Sequence, residues 1–182
     1  MKIKRGDKTK FNDFMTLVKK NHRNYYLLKK HLKQLIEEGV DLNIQTYYGR
    51  TLLHYAVKFK NIKLLKIFLE AGVNPNIANE LGFTPLHEAV STEQLSLIDC
   101  LLASGADPNL ACEQERTAMH LAVIAGNLDV IKLLVKYHAI VKLCDDSNKL
   151  PIDYAVDEGY ANIIKYLENL DNDTKPLGGL NG

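Results

Sequence analysis

A histidine beside a hydroxyl and a carboxylate is the first place to look for chemistry. Thr84-Pro85-Leu86-His87-Glu88-Ala89-Val90 holds all three within one short stretch. A histidine so placed could serve as a general base or activate a nucleophile within hydrogen-bond reach. His54 and His120 have similar neighbours, and several imidazoles together could ligate a metal. Cys100, Cys112 and Cys144 are candidate nucleophiles, and Asp145-Asp146 and Asp157-Glu158 are paired carboxylates.

Whether this is chemistry or scaffold depends on whether the stretch occurs once. It recurs as TLLHYAV from Thr51, TPLHEAV from Thr84, TAMHLAV from Thr117 and LPIDYAV from Leu150, spaced by 33 residues each time. A second motif keeps step: GVDLN at Gly39, GVNPN at Gly72, GADPN at Gly105 and a degraded HAIVK at His138. Local chemistry explains the first motif as a helix start. Thr84 suits an N-cap, and Pro85 suits the first helical position, where no N–H is needed. Leu86, Ala89 and Val90 then form an apolar stripe at i, i+3 and i+4. In NIKLLKIFLEAG, from Asn61 to Gly72, Leu64, Leu65, Phe68 and Leu69 share one face of a second helix.

Two phased motifs with this period resemble the ankyrin-repeat family. The resemblance covers about residues 28–170. It implies an all-α solenoid of β-turn and helix-turn-helix units. Five units are expected, at about 12–46, 47–79, 80–112, 113–145 and 146–174, the outer two being divergent caps. A basic arm, 1–11, would precede them and a flexible tail, 175–182, would follow. In the first unit the inner helix is expected at 12–20 and the outer one at about 25–38. Gly49 and Gly82 occupy a turn position where φ > 0 is usual, while Glu115 and Asn148 take that place later. Lys60, Glu93 and His138 likewise stand where glycine is the family's habit, so irregular connections are expected there.

The repeat answers the opening question. Inner helices of neighbouring repeats stack about 8–10 Å apart, so equivalent histidines lie too far apart to share an ion. The resemblance implies that each histidine bonds the backbone and the threonine three residues before it. Cys100 sits in an apolar helix and is expected to be inert; Cys112 and Cys144 fall near turns and are expected nearer the surface. No phosphate-binding glycine loop, zinc-binding HExxH or nucleophile elbow is present. No enzymatic activity, metal, cofactor or small-molecule substrate is therefore expected.

Function is then expected where the copies vary. The resemblance places partner contacts on the turn tips and the exposed face of the inner helices. Position by position these are Tyr47, Tyr48, Arg50, Lys58 and Phe59, then Glu80, Leu81, Phe83 and Glu88. Glu113, Gln114, Arg116, Ile124, Asp146 and Lys149 continue the row. The expected activity is binding of a protein partner by a monomeric adaptor or inhibitor. A net charge of +1 conceals an asymmetry: residues 1–33 carry +9 and the remainder −8. An alternative is that this basic N-terminal segment binds nucleic acid or an anionic membrane surface. The resemblance also admits a small effector that an intracellular bacterium or virus directs into its host. Three cysteines without CxxC spacing suit a reducing, cytoplasmic setting.

Overall fold

The computed structural model describes residues 5–173, with side chains from 6 to 170. Helices come in pairs: α1 (Arg5–Asn21) with α2 (Tyr25–Glu37), α3 (Leu52–Lys58) with α4 (Ile62–Glu70), and α5 (Pro85–Ser91) with α6 (Leu95–Ala103). Then follow α7 (Ala118–Ile124) with α8 (Leu128–Lys136), and α9 (Pro151–Asp157) with α10 (Ala161–Asp173). The inner helices α3, α5, α7 and α9 stack in chain order, and α4, α6 and α8 form an outer row behind them.

A helix of 7 residues such as α5 would not persist alone, because nucleation outweighs so few backbone bonds. Stacking supplies what length cannot. Val57, Val90 and Val123 are at most 1% exposed, whereas the equivalent Val156 is 58% exposed. The buried valines each face a following repeat; among the described residues Val156 has none. Ala56, Ala89, Ala122 and Ala155 are fully buried beside them, where a small side chain lets the helices approach.

The second motif makes a ladder between repeats. Asn43 Oδ1 accepts from Asn74 N at 2.8 Å, Asn76 Oδ1 from Asp107 N at 2.8 Å, and Asn109 Oδ1 from Ile140 N at 2.7 Å. Each rung satisfies a loop N–H that would otherwise lack a protein partner.

Positive φ appears where it was expected. Gly49 and Gly82 have φ of 70° and 72°, and Glu115 and Asn148 follow at 54° and 59°. The connections expected to be irregular at Lys60, Glu93 and His138 are regular instead: these residues stand at 50°, 54° and 62°, and Lys60 N and Glu93 N donate to Val57 O and Val90 O as Gly126 N does to Val123 O. A β-carbon in this region costs about 1 kcal/mol. Replacing both Glu115 and His138 by glycine is expected to raise the melting temperature by about 2 °C, after discounting the extra unfolded-state freedom of glycine. Calorimetry on the double variant checks this; a lower melting temperature would mean those side chains make compensating contacts.

The first unit departs from expectation. Its inner helix begins by Arg5 rather than at 12, so residues 5–11 are helix and not a free arm. Asp7 in the first turn and Lys19 and Lys20 in the last suit the helix dipole. Phe11 is fully buried, with Phe14, Met15 and Val18 on the same face. The unit docks through α3 and α4: Phe14 meets Phe68 edge-on, and the His22 ring stacks on Phe59 with centroids 4.4 Å apart. The tail expected at 175–182 lies outside the described residues. No helix among the described residues is long and apolar enough to cross a membrane.

Candidate interaction surface

The histidines are locked into the scaffold. His54 Nδ1 accepts from Thr51 N at 3.0 Å and lies 2.9 Å from the Thr51 hydroxyl. Its Nε2–H therefore donates to Phe83 O, at 2.9 Å in the next repeat. His120 repeats this with Thr117 and, at 3.2 Å, with Lys149 O. His87 bonds Thr84 in the same way, but its buried Nε2 has no partner at bond distance. Burial pushes His54 and His87 down to about 4 and lowers His120 as well. These are neutral rings holding a helix start, not bases facing a substrate. In the last repeat Asp153 replaces histidine, and its Oδ2 accepts from Leu150 N at 2.7 Å.

Burial raises the Cys100 thiol. Cys112, expected near the surface, is buried, because its N–H pairs with Arg116 O at 3.0 Å and folds the turn over it; Cys144 is exposed. Among the described residues no group of three His, Cys, Asp or Glu side chains is placed to hold a metal ion.

The variable positions divide into free and clasped residues. Tyr47 and Tyr48 are 85% and 65% exposed and meet edge to face at 5.0 Å. Glu80 N donates to Tyr48 O at 3.3 Å, which sets the exposed Leu81 on the adjoining tip. Lys58, Glu80, Glu113, Gln114, Ile124 and Asp146 are also exposed.

The clasped residues bridge repeats instead. Arg50 Nη2 donates to Glu88 Oε1 at 2.9 Å, and Asn79 Nδ2 reaches the same oxygen at 3.4 Å. Burial nevertheless raises the Glu88 carboxyl above its usual range. Glu88, read from sequence as unattached, is thus occupied by its neighbour. Arg116 Nη2 donates to the Tyr154 hydroxyl at 2.9 Å, which donates in turn to Asp145 Oδ2. Burial presses Asp145 upward, but bonds from Tyr154, the Lys149 and Ser147 N–H groups and Arg116 prevail and hold it down at about 2. Lys149 pairs with Asp157 at 2.7 Å. Phe59 packs on His22 and the core, and half-buried Phe83 lies edge-on to His87.

Between α3 and α5 runs a cleft of about 400 Å³, lined by Val57 and Phe83, by Arg50 and Glu88, by Lys58 and Lys60, and by Ser91 and Thr92. Both hydroxyls donate to backbone carbonyls, of His87 and Glu88, at 2.9 and 3.0 Å. They turn only acceptor lone pairs toward the cleft.

A family model for ankyrin repeats, three copies long, matches residues 20–112 and again residues 92–175. The chain belongs to the ankyrin-repeat family. No match was found among curated proteins. Modules of this family generally bind proteins. In this ankyrin-repeat protein the sequence alone did not reveal the cross-repeat clasps or the asparagine ladder. Both had a signal: the clasped pairs Arg50 and Glu88, and Arg116 and Tyr154, are 38 residues apart, and each asparagine rung spans 31.

Proposed function

We propose that the chain is a non-catalytic adaptor or inhibitor that docks a protein partner on the tips of its second and third repeats, with Tyr47, Tyr48 and Leu81 as anchors. The observation carrying this reading is three large apolar side chains exposed on two adjoining tips. Exposed tyrosine is a common hot-spot residue, and clustered exposed apolar area marks an interface. Glu113, Gln114, Ile124 and Asp146 extend the contact surface toward the later repeats. Phe59, Phe83, Arg50, Glu88, Arg116 and Lys149 shape it from behind.

The test is affinity capture with Tyr47→Ala/Tyr48→Ala/Leu81→Ala. These side chains are exposed, so the melting temperature should stay within about 1 °C of the parent. Affinity for a captured partner should fall at least about tenfold, the loss of roughly 1.4 kcal/mol of anchoring. Unchanged affinity would sink the proposed surface.

A further inference from the structure

Residues 14–36 and 42–69 contain no aspartate or glutamate, yet carry eleven lysines and arginines. Lys33 and Arg50 pair with Glu37 and Glu88. The other nine have no carboxylate at ion-pair distance among the described residues. Residues 1–69 hold 16 Lys/Arg against 5 Asp/Glu, whereas 70–182 hold 7 against 17. The first two repeats are therefore a cationic block joined to an anionic remainder.

The fold brings four of these charges to one edge. Asn61 Nδ2 donates to His22 O at 3.0 Å, and the Tyr25 hydroxyl donates to Asn61 Oδ1 at 3.2 Å. With the His22–Phe59 stack, these bonds press the α1–α2 connection against the α3–α4 connection. Lys20 and Arg23 border the first connection, and Lys58 and Lys60 flank Phe59 at the second and line the cleft between α3 and α5; with the two connections in contact, these four cations share one rim. Unpaired like charges held together repel one another, and an anionic partner relieves that repulsion.

We infer that the partner protein presents an acidic segment, which lies along this rim and enters the cleft beside Lys58 and Lys60. The inference rests on the protein-binding reading above and names the chemistry of the partner. Two observations favour a polypeptide over a nucleic acid or a bilayer. Ser91 and Thr92 offer acceptor oxygens next to the two lysines, which suit the N–H groups repeated along a peptide backbone, a donor row that a sugar–phosphate backbone lacks. Beyond the second repeat the same edge turns acidic: Glu93 stands in the position of Lys60, at φ 54° against 50°, and Asp157 and Glu158 are exposed at the last connection. A uniformly anionic polymer would be repelled there, while a protein can follow an acidic segment with neutral or basic residues.

The experiment uses the purified full chain and a fluorescent oligo-glutamate peptide, followed by anisotropy. Single-stranded oligouridine and phosphatidylserine vesicles are run in parallel. The peptide should bind, and more weakly as salt rises. Arg23→Glu/Lys58→Glu/Lys60→Glu should weaken it at least about tenfold, with the melting curve intact. Asp129→Asn/Glu168→Gln, exposed on α8 and α10 away from the contact surface, should leave it no weaker. No binding of the peptide, or equal binding by the charge-reversed variant, overturns the inference; so does tighter binding of oligouridine or vesicles than of the peptide. The tip variant leaves these cations in place, so failure of the apolar anchors and failure of the cationic rim register in different assays.

Discussion

Lowering the pH from 7 to 5 is expected to cost the fold about 4 kcal/mol through His54 and His87 alone. Both rings are held at about 4 in the folded chain because burial disfavours their charged form. In the unfolded chain they take protons near pH 6.5. Between those values the unfolded state binds more protons, so stability is full above about pH 6.5 and is lost as pH falls toward 4. Each ring contributes roughly 2 kcal/mol to the loss at pH 5. That is a large part of a typical total of about 5–15 kcal/mol. His120, lowered in the same direction, adds to the slope. Asp145, held at about 2, acts in a lower window, and its stabilisation is lost only below about pH 4. Urea unfolding at the two pH values measures the effect. In His54→Gln/His87→Gln the glutamines can still reach back to the cap N–H, so the fold should survive at pH 7 with a flatter pH dependence. The same slope in parent and variant would show that other groups cause it.

Gly82→Ala is expected to cost about 3 kcal/mol, and Gly105→Ala only about 1. Both glycines have positive φ, 72° and 88°, so an alanine pays the left-handed penalty at each. They differ in what a β-carbon would meet. At Gly82 it would lie 2.7 Å from Glu113 N, in the neighbouring turn; at Gly105 nothing lies within 4 Å. Glu115, which occupies the place of Gly82 one repeat later, shows how the chain relieves such contact: its φ is 54° rather than 72°. That relief limits the cost at Gly82 without removing it, since the turn must rotate against backbone. The melting temperature should drop by about 8 °C for Gly82→Ala and about 3 °C for Gly105→Ala. Equal drops would mean that the turn-to-turn contact carries no energy.

Much of the architecture was legible before any coordinates, because a strict period leaves little freedom. Once TLLHYAV, TPLHEAV, TAMHLAV and LPIDYAV stood in phase, the threonine caps, the helix starts and the histidine bonds followed from local geometry. Even the strained positions were readable, since Glu115 follows Gly49 and Gly82 in its column and His138 follows Gly39, Gly72 and Gly105 in its own. The first repeat was less legible. Its inner helix lacks the cap motif, and only the burial of Phe11 against α2 and its neighbours shows that the helix extends toward the N-terminus.

The candidate surface was half legible. Sequence position picked out the residues that vary between copies, and of these Tyr47, Tyr48 and Leu81 are exposed. It did not distinguish a side chain that waits for a partner from one that already has a partner in the next repeat. Arg50 and Arg116 look alike to Lys58 in sequence, yet each arginine crosses a repeat boundary to a fixed acceptor. That distinction depends on distances between side chains 38 residues apart, and stacking sets those distances. The sequence by itself therefore determined the repeat, its threonine caps and the bonds its histidines make to them, all properties of neighbours along the chain. Only the tertiary structure decided which charges are neutralised across repeats and which remain as an open cationic rim, because that is settled by packing between units.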